Sequence, residues 1–475
     1  MKKAFKTNRN TVIQLMINLL IGLWALLICS SPQDQSVACG FLSMAQLLIN
    51  IWFMRRSRIP WFSFSMLFCL ATYIFHLSNV FLLAIGQGKY CVYDILNSSI
   101  NIRDYNFSSV LAIFCSGLTV TGILYAYGSF HADLSLNRYR SSKVSDNVSR
   151  RKILALGLIL LAISAIPSLY LQFLRVNVVL TGGLYSNTRS VDRQLGIFYY
   201  LTRFMPFALI MIMIGMKHKK RTSLIIYVVS CAYEAFCMIS GNRALQLIAI
   251  ATYSFVYFNI VRKKKIRFRI LVLFAILGYF AAAAVNMIME IRDFGILSYD
   301  LSSVFLNILK DNPLFAVIGE FGNTQLSVSL AISNYPEHVG FKFGTSYLFG
   351  LSAAIPNIGS IIDWMQTKAV YLYDFVLGAH YSLGGSYIAE LYANFGWFGI
   401  LFAPLVGFWI GKTCSSIFKS IEKENWCRLV SLLVLFYFNL FWVRNFFYGF
   451  VFTYVWTSLY IKFFGAALNG SLKRR

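Results

Sequence analysis

Charge is what this sequence has least of. Only 13% of its 475 residues are charged, while 58% are hydrophobic, against about 25% charged in a typical soluble domain. Those proportions exclude a water-soluble globule, a disordered chain and a coiled coil. Acidic residues are scarcer still: 18 Asp and Glu stand against 43 Lys and Arg, for a net charge of +25. The nine cysteines have no spacing suggestive of zinc or of a disulfide framework. Most lie inside apolar runs as small fillers, and only Cys29 and Cys39, on either side of the first short loop, could be bridged. No HExxH, DxD or P-loop pattern occurs, so neither nucleotide hydrolysis nor a divalent-metal site is supported. No internal repeat relates the two halves. The first apolar run follows Lys2 and Lys3 in the manner of a signal peptide, but it lacks a small-residue cleavage site in the usual place, which predicts a retained helix.

What the chain has in abundance is long apolar runs. Stretches of about 20 apolar residues can each cross a bilayer core of about 30 Å. Twelve such stretches are expected, near 11–30, 37–54, 60–86, 107–128, 153–173, 196–216, 222–240, 244–261, 270–289, 386–411, 429–446 and 448–466. The basic residues fit this count. With the N-terminus in the cytoplasm, every loop assigned to the inside is basic, and together these loops hold 31 of the 43 Lys and Arg, as the positive-inside rule requires. The sequence therefore predicts an all-α polytopic membrane protein with about 12 transmembrane helices and both termini cytoplasmic. It divides into an N-terminal membrane bundle of about nine spans (1–289), a large extracytoplasmic loop unit carrying short helices (290–385) and about three C-terminal spans (386–475). Topology and attraction to anionic membrane lipids account for the basic surplus, and no nucleic-acid partner is needed.

Twelve bases remain outside the inner loops, and eight of them are arginines: Arg103, Arg175, Arg189, Arg193, Arg203, Arg243, Arg292 and Arg444. An arginine near hydrocarbon is costly unless it snorkels or is paired, and its guanidinium fork suits phosphate and pyrophosphate. Arg243 follows Ser240, Gly241 and Asn242, which break two apolar spans and leave almost no loop; this would hold it at the outer membrane surface, either as an interfacial anchor or as an anion ligand. Glu234, about two and a half turns earlier on the same helix, reads either as a neutral carboxyl making a helix contact or as the buried partner of a cation such as Arg203. The acids are skewed outward as well: Glu290, Asp293, Glu320, Asp363 and Asp374 lie in the 290–385 segment together with Arg292 and His380, and Glu390 follows just after it. Each carboxyl reads as a cap or ion-pair member, or as a general base. An outer-face cavity with arginines for a polyanion and carboxyls or histidine for proton transfer suits group transfer from a lipid diphosphate.

Several short motifs are similar to those of one family. Gly241, Asn242, Arg243 and Ala244 resemble the GxR motif of bacterial O-antigen and oligosaccharide repeat unit polymerases of the Wzy type. The stretch Gly319–Gly322, then Tyr335 and Pro336, then Gly344–Tyr347, then Ile355 and Pro356, resembles their long periplasmic loop. Gly384–Tyr392 followed by Asn394, Phe395 and Gly396 is similar to the start of the helix after that loop, and Arg444 with Asn445 resembles a late Arg plus polar residue. The resemblance implies a GT-C-like, metal-independent polymerase of the bacterial inner membrane, needing no cofactor. It would transfer a growing glycan from undecaprenyl pyrophosphate to a new lipid-linked repeat unit at the periplasmic face, with membrane lipids and a chain-length regulator as further partners. Under it, Glu320, Glu390, His380 and Arg243 are the candidate catalytic residues, and Arg189, Arg193, Arg243, Arg292 and Arg444 would hold pyrophosphate. Of these, Arg243, Glu320, Glu390 and Arg444 stand in motif-like positions; the others rest on topology and chemistry. Tyr347, Trp364 and Tyr381 either stack on sugars or pack at the interface.

Two other readings stay open. A lipid-linked oligosaccharide flippase or transporter can also have about twelve helices, but transporters usually show repeated halves and charges near the bilayer midplane. An O-antigen ligase shares the architecture but passes the glycan to another acceptor, and the Glu320 and Glu390 motifs favour the polymerase.

Overall fold

The computed structural model describes residues 2–28, 31–91, 101–130, 143–180, 195–238, 244–262, 279, 283, 312–352, 354–355 and 385–473. Among these residues the regular structure is helical, with no strand. The longer helices are α1 (Lys2–Leu27), α2 (Pro32–Arg56), α3 (Phe64–Ala84), α4 (Ile102–Phe130) and α5 (Lys143–Leu180). Then come α6 (Ile197–Thr202), α7 (Met205–Gly215), α8 (Lys220–Met238) and α9 (Ala244–Val256). The later segment carries α10 (Pro313–Gly322), α11 (Thr324–Asn334), α12 (Thr345–Ser352), α13 (Tyr387–Phe395), α14 (Ala403–Glu422), α15 (Trp426–Trp442) and α16 (Tyr448–Lys473). Local signals set several helix starts. Ser31 caps α2 by accepting the Asp34 N–H at 3.1 Å, Pro32 at the first helical position has the φ that a helix needs, and Arg55 and Arg56 in the last turn complement the backbone dipole. Ser63 caps α3 in the same way, accepting from Met66 N at 3.3 Å.

Nine of the described helical stretches are long and apolar enough to cross a membrane, from Arg9–Leu27 through Tyr387–Glu422. The protein is a polytopic all-α membrane protein. These nine correspond to the first eight expected runs and the tenth. The ninth run, 270–289, falls almost wholly outside the described residues. The last two correspond to α15, a shorter apolar helix, and α16.

The chain forms two compact units. One comprises Met1–Arg138, Ile318–Lys419 and Phe438–Phe452; the other comprises Tyr139–Val317, Ser420–Tyr437 and Thr453–Arg475. In the first unit α1 packs on α2 and α4, and α3 packs on α2 and α4. Its interior holds a network of side-chain amides. Asn50 accepts from Gln14 at 2.8 Å and Asn18 at 3.0 Å, and donates to Asn18 at 3.0 Å and the Tyr73 hydroxyl at 2.8 Å; that hydroxyl donates to Gln46 at 2.8 Å. Polar groups buried in an apolar bundle must pair in this way. Helices α4 and α14 cross at glycines: a Cβ on Gly122 would lie 1.9 Å from the Pro404 carbonyl oxygen, and one on Gly407 would lie 1.8 Å from that of Thr119.

Helix α11 is buried over Thr324–Ala331 and packs against α3, α4 and α13. Several of its polar groups are matched there: Gln325 Nε2 donates to Ser109 at 2.7 Å, Ser329 donates to Ser108 at 2.9 Å and Ser333 donates to Asp104 at 2.7 Å.

In the second unit α5 packs on α6 and α7, and α8 packs on α9. Glu234 of α8 accepts the Tyr253 hydroxyl of α9 at 2.8 Å, which is the helix contact among its two expected roles. Arg203 donates to Thr453 at 3.3 Å and lies over the Tyr199 ring at 5.2 Å. Lys217 meets Glu424 at 3.5 Å with its ammonium 3.9 Å from the Trp426 ring centre.

Candidate functional site

The site lies within the first unit and is built on the start of α13. Ser386 caps this helix, its hydroxyl oxygen accepting from Ile388 N at 3.1 Å and Ala389 N at 3.3 Å. One turn later comes Glu390, 1% exposed. Its Oε1 accepts from Ser346 at 3.2 Å, and its Oε2 accepts from the Trp442 indole N–H at 3.2 Å and the Phe447 backbone N–H at 2.8 Å. The carboxyl group is thus a hub for three donors from two separate parts of the chain. A buried carboxylate is tolerable only when its lone pairs are matched by hydrogen bonds or charges, and here hydrogen bonds supply the match.

Two arrangements bring these parts together. On one side, the backbone of 342–344 is strapped along the end of α13: Lys342 N donates to Ala393 O at 3.0 Å, Phe343 N to Asn394 O at 2.9 Å and Gly344 N to the Asn394 side-chain oxygen at 2.9 Å. Asn394 Nδ2 then donates to Ser346 at 2.7 Å and to the Glu390 carbonyl at 2.7 Å, fixing the serine that faces the carboxyl. On the other side, the turn after α15 passes against Gly385. A Cβ at Gly385 would lie 2.8 Å from the carbonyl carbon of Asn445 and from Phe446 N, so only glycine admits this approach.

That turn carries Arg444. Its guanidinium carbon lies 5.8 Å from the centre of the Phe75 ring, within cation–π range. Phe75 in turn packs on Phe321 with ring centres 5.2 Å apart, and Phe321 directly follows Glu320 at the end of α10. The Ser78 hydroxyl donates to Ile318 O at 2.8 Å, tying the end of α10 to α3. Glu320 is partly exposed, in contrast to Glu390.

Aromatic rings line the carboxyl. Tyr387 and Trp442 have ring centres 5.9 Å apart, Trp442 and Phe447 5.7 Å, and Tyr347 and Phe447 5.4 Å. Burial first, and after it the nearby Glu390 carboxyl, hold the Tyr347 phenol well above its ordinary range, so its hydroxyl is a neutral donor. Among the described residues that hydroxyl has no hydrogen-bond partner.

Of the residues singled out in the sequence, Glu320, Glu390, Arg444 and Tyr347 gather around α3, α13 and the 443–447 turn. Arg189, Arg193, Arg243, Arg292, His380, Trp364 and Tyr381 lie outside the described residues. Sequence reasoning passed over Phe75, His76 and Trp442, and met Asn394 only as part of a motif. Of the three, His76 had a visible signal, since it is a polar residue in an apolar surround.

The fold and site define a polytopic membrane protein whose buried carboxyl group anchors an arginine-bearing turn beside a second acid. The model of the family O-antigen polysaccharide polymerase Wzy matches residues 11–465, and the chain belongs to that family. In general terms it is an O-antigen repeat-unit polymerase, glycosyltransferase-like and acting on lipid-linked oligosaccharide units. Neither a curated protein nor a solved structure matches the chain significantly.

Proposed function

We propose that the protein joins undecaprenyl-pyrophosphate-linked oligosaccharide repeat units into a surface polysaccharide, by metal-independent glycosyl transfer of the GT-C type at the periplasmic face of the inner membrane. In this reading twelve helices cross the membrane, both termini are cytoplasmic, and the segment 290–385 belongs to the periplasmic side. The end-to-end alternation of basic loops supports that topology.

The observation that carries the chemical reading is the Phe447 N–H to Glu390 bond of 2.8 Å, which fixes the Arg444 turn to the helix following the long loop. Glu390 is buried and accepts three donors; its role here is to hold the turn. Glu320 is the more accessible acid and serves as the base, with His380 the other candidate. The acceptor sugar hydroxyl gives its proton to the base as its oxygen attacks the anomeric carbon of the donor glycan. The bond from that carbon to pyrophosphate breaks, and its electron pair leaves with undecaprenyl pyrophosphate. Arg444, with Arg243, Arg189, Arg193 and Arg292, holds the diphosphates and stabilises the leaving one, since guanidinium forks match phosphate oxygens bidentately.

The test is reconstitution of the purified protein with synthetic undecaprenyl-pyrophosphate repeat units in the absence of divalent metal, with products resolved on a gel. The parent is expected to give a ladder of chain lengths, and Arg243→Ala and Glu320→Ala to give none. An unchanged ladder in Arg243→Ala would remove its role at pyrophosphate.

A further inference from the structure

We infer that His76 is a positioning residue that acts through Ser386 to hold Glu390, and with it the Arg444 turn, in working register; its effect on turnover rests on the polymerase reading above. The imidazole is fully buried on α3. Its Nδ1 lies 2.9 Å from the Thr72 carbonyl oxygen and its Nε2 lies 2.6 Å from the Ser386 hydroxyl oxygen.

The direction of each bond is fixed by what its partner can do. A carbonyl oxygen only accepts, so Nδ1 carries the hydrogen and donates to Thr72. The Ser386 oxygen already accepts from Ile388 N and Ala389 N, which occupies both lone pairs. Its one hydrogen therefore points to Nε2, the bare nitrogen of a neutral imidazole. His76 is the group that lets the cap of α13 satisfy its own hydrogen without giving up either helix N–H.

This reaches the site along a short path. Glu390 N donates to Ser386 O at 2.9 Å, so the cap and the acid belong to one turn. The neighbouring residue on α3, Phe75, carries Arg444 over its ring, and the Tyr387 ring stands edge-on to the imidazole at 5.7 Å. Two consecutive residues of α3 thus index the two partners of the site: His76 indexes the start of α13, and Phe75 indexes the arginine. A shift of α13 on α3 moves Glu390 relative to Arg444.

The test compares His76→Leu, which has no acceptor for Ser386, with His76→Gln, whose side-chain oxygen accepts at about the Nε2 position while its amide donates to Thr72. Both are assayed for glycan lengthening at equal amounts of folded, monodisperse protein. The inference predicts a kcat for His76→Leu lower by about tenfold or more with the KM for lipid-linked substrate within about twofold, and recovery to within about threefold of the parent in His76→Gln. In hydrogen-exchange measurements on the same proteins, the Ile388, Ala389 and Phe447 amides are expected to exchange about tenfold faster in His76→Leu. A parent-like kcat in His76→Leu, a His76→Gln variant no better than it, or unchanged exchange at those amides would each overturn the inference. If the parent itself lengthens no glycan, the polymerase reading falls, and the exchange measurement alone decides whether His76 holds the turn.

Discussion

The backbone N–H of Phe447 points at the buried carboxyl of Glu390 and meets it at 2.8 Å. Two residues 57 positions apart in the chain thereby fix the Arg444 turn against the helix that follows the long loop. Removing the carboxyl strands the Phe447 amide, the Trp442 indole and the Ser346 hydroxyl at once. Each orphaned buried donor costs about 1–3 kcal/mol. Glu390→Ala is therefore expected to unfold at a clearly lower temperature in detergent than Glu390→Gln, which still offers an oxygen to the Phe447 amide. Equal melting of the two variants would count against the hub.

Gly385 sets how closely that turn approaches. Gly385→Ala puts a methyl group 2.8 Å from backbone atoms of Asn445 and Phe446, and overpacking of this kind typically costs about 1–3 kcal/mol. The backbone here can relieve the clash by moving the turn outward. The expected outcome is a folded protein with glycan-lengthening activity reduced about tenfold or more, since small misplacements at a reacting centre cost rates of that order or greater. Parent-like activity would mean that the approach is incidental.

Asn50 is the centre of the amide network inside the first unit, with bonds to Gln14, Asn18 and Tyr73. Asn50→Leu removes all four of these bonds from an apolar interior; Gln14 Nε2 keeps the Gly117 carbonyl and Asn18 Nδ2 keeps the Gln14 carbonyl, while Asn18 Oδ1 loses the Asn50 donor. A drop in unfolding free energy of about 1–2 kcal/mol is expected, read as a lower midpoint in denaturant titration. A more stable variant would show that the network serves something other than cohesion.

Cys91 offers a test by pH. Burial pushes its thiol from 9.0 up to about 11, against a smaller opposing effect of the Leu83 backbone bond, and Sγ contacts the Asn79 carbonyl at 3.2 Å. The folded state therefore keeps a proton that the unfolded chain releases above pH 9. The thiol's contribution to stability is whole below pH 9 and is lost as pH rises from 9 to about 11. Because only the thiolate is nucleophilic, alkylation of Cys91 in the folded protein, followed by peptide mass mapping, should be slow at pH 8 and climb about tenfold per pH unit until near pH 11. A rate that levels off by pH 9 would contradict the burial argument.

The spans were legible because length and apolarity suffice to define them: nine of the expected runs are helices of crossing length among the described residues. The assembly of the site was legible in part. The motifs around Glu320, Gly344–Tyr347, Glu390 and Arg444 resembled one family, and these four segments do meet around α3 and α13. The bonding of Glu390 was not legible, because nothing local to it announces that the Phe447 amide and Trp442 will reach it. Helix α11 was equally hidden. Its run Thr324, Gln325, Ser327 and Ser329 is half polar, yet it is buried, with Gln325 Nε2 and the Ser329 hydroxyl bonded to Ser109 and Ser108 of α4. His76 stood out only as one imidazole in an apolar run, and its value depends on Ser386, 310 positions away.

The most direct test of the account is the chain-length distribution made from synthetic undecaprenyl-pyrophosphate repeat units by Arg444→Ala beside the parent, at matched amounts of folded protein. Loss of a charge-assisted contact to phosphate, worth about 1.5–3 kcal/mol, predicts lengthening slower by about tenfold to a hundredfold. A ladder formed at the parent's rate by Arg444→Ala would contradict it.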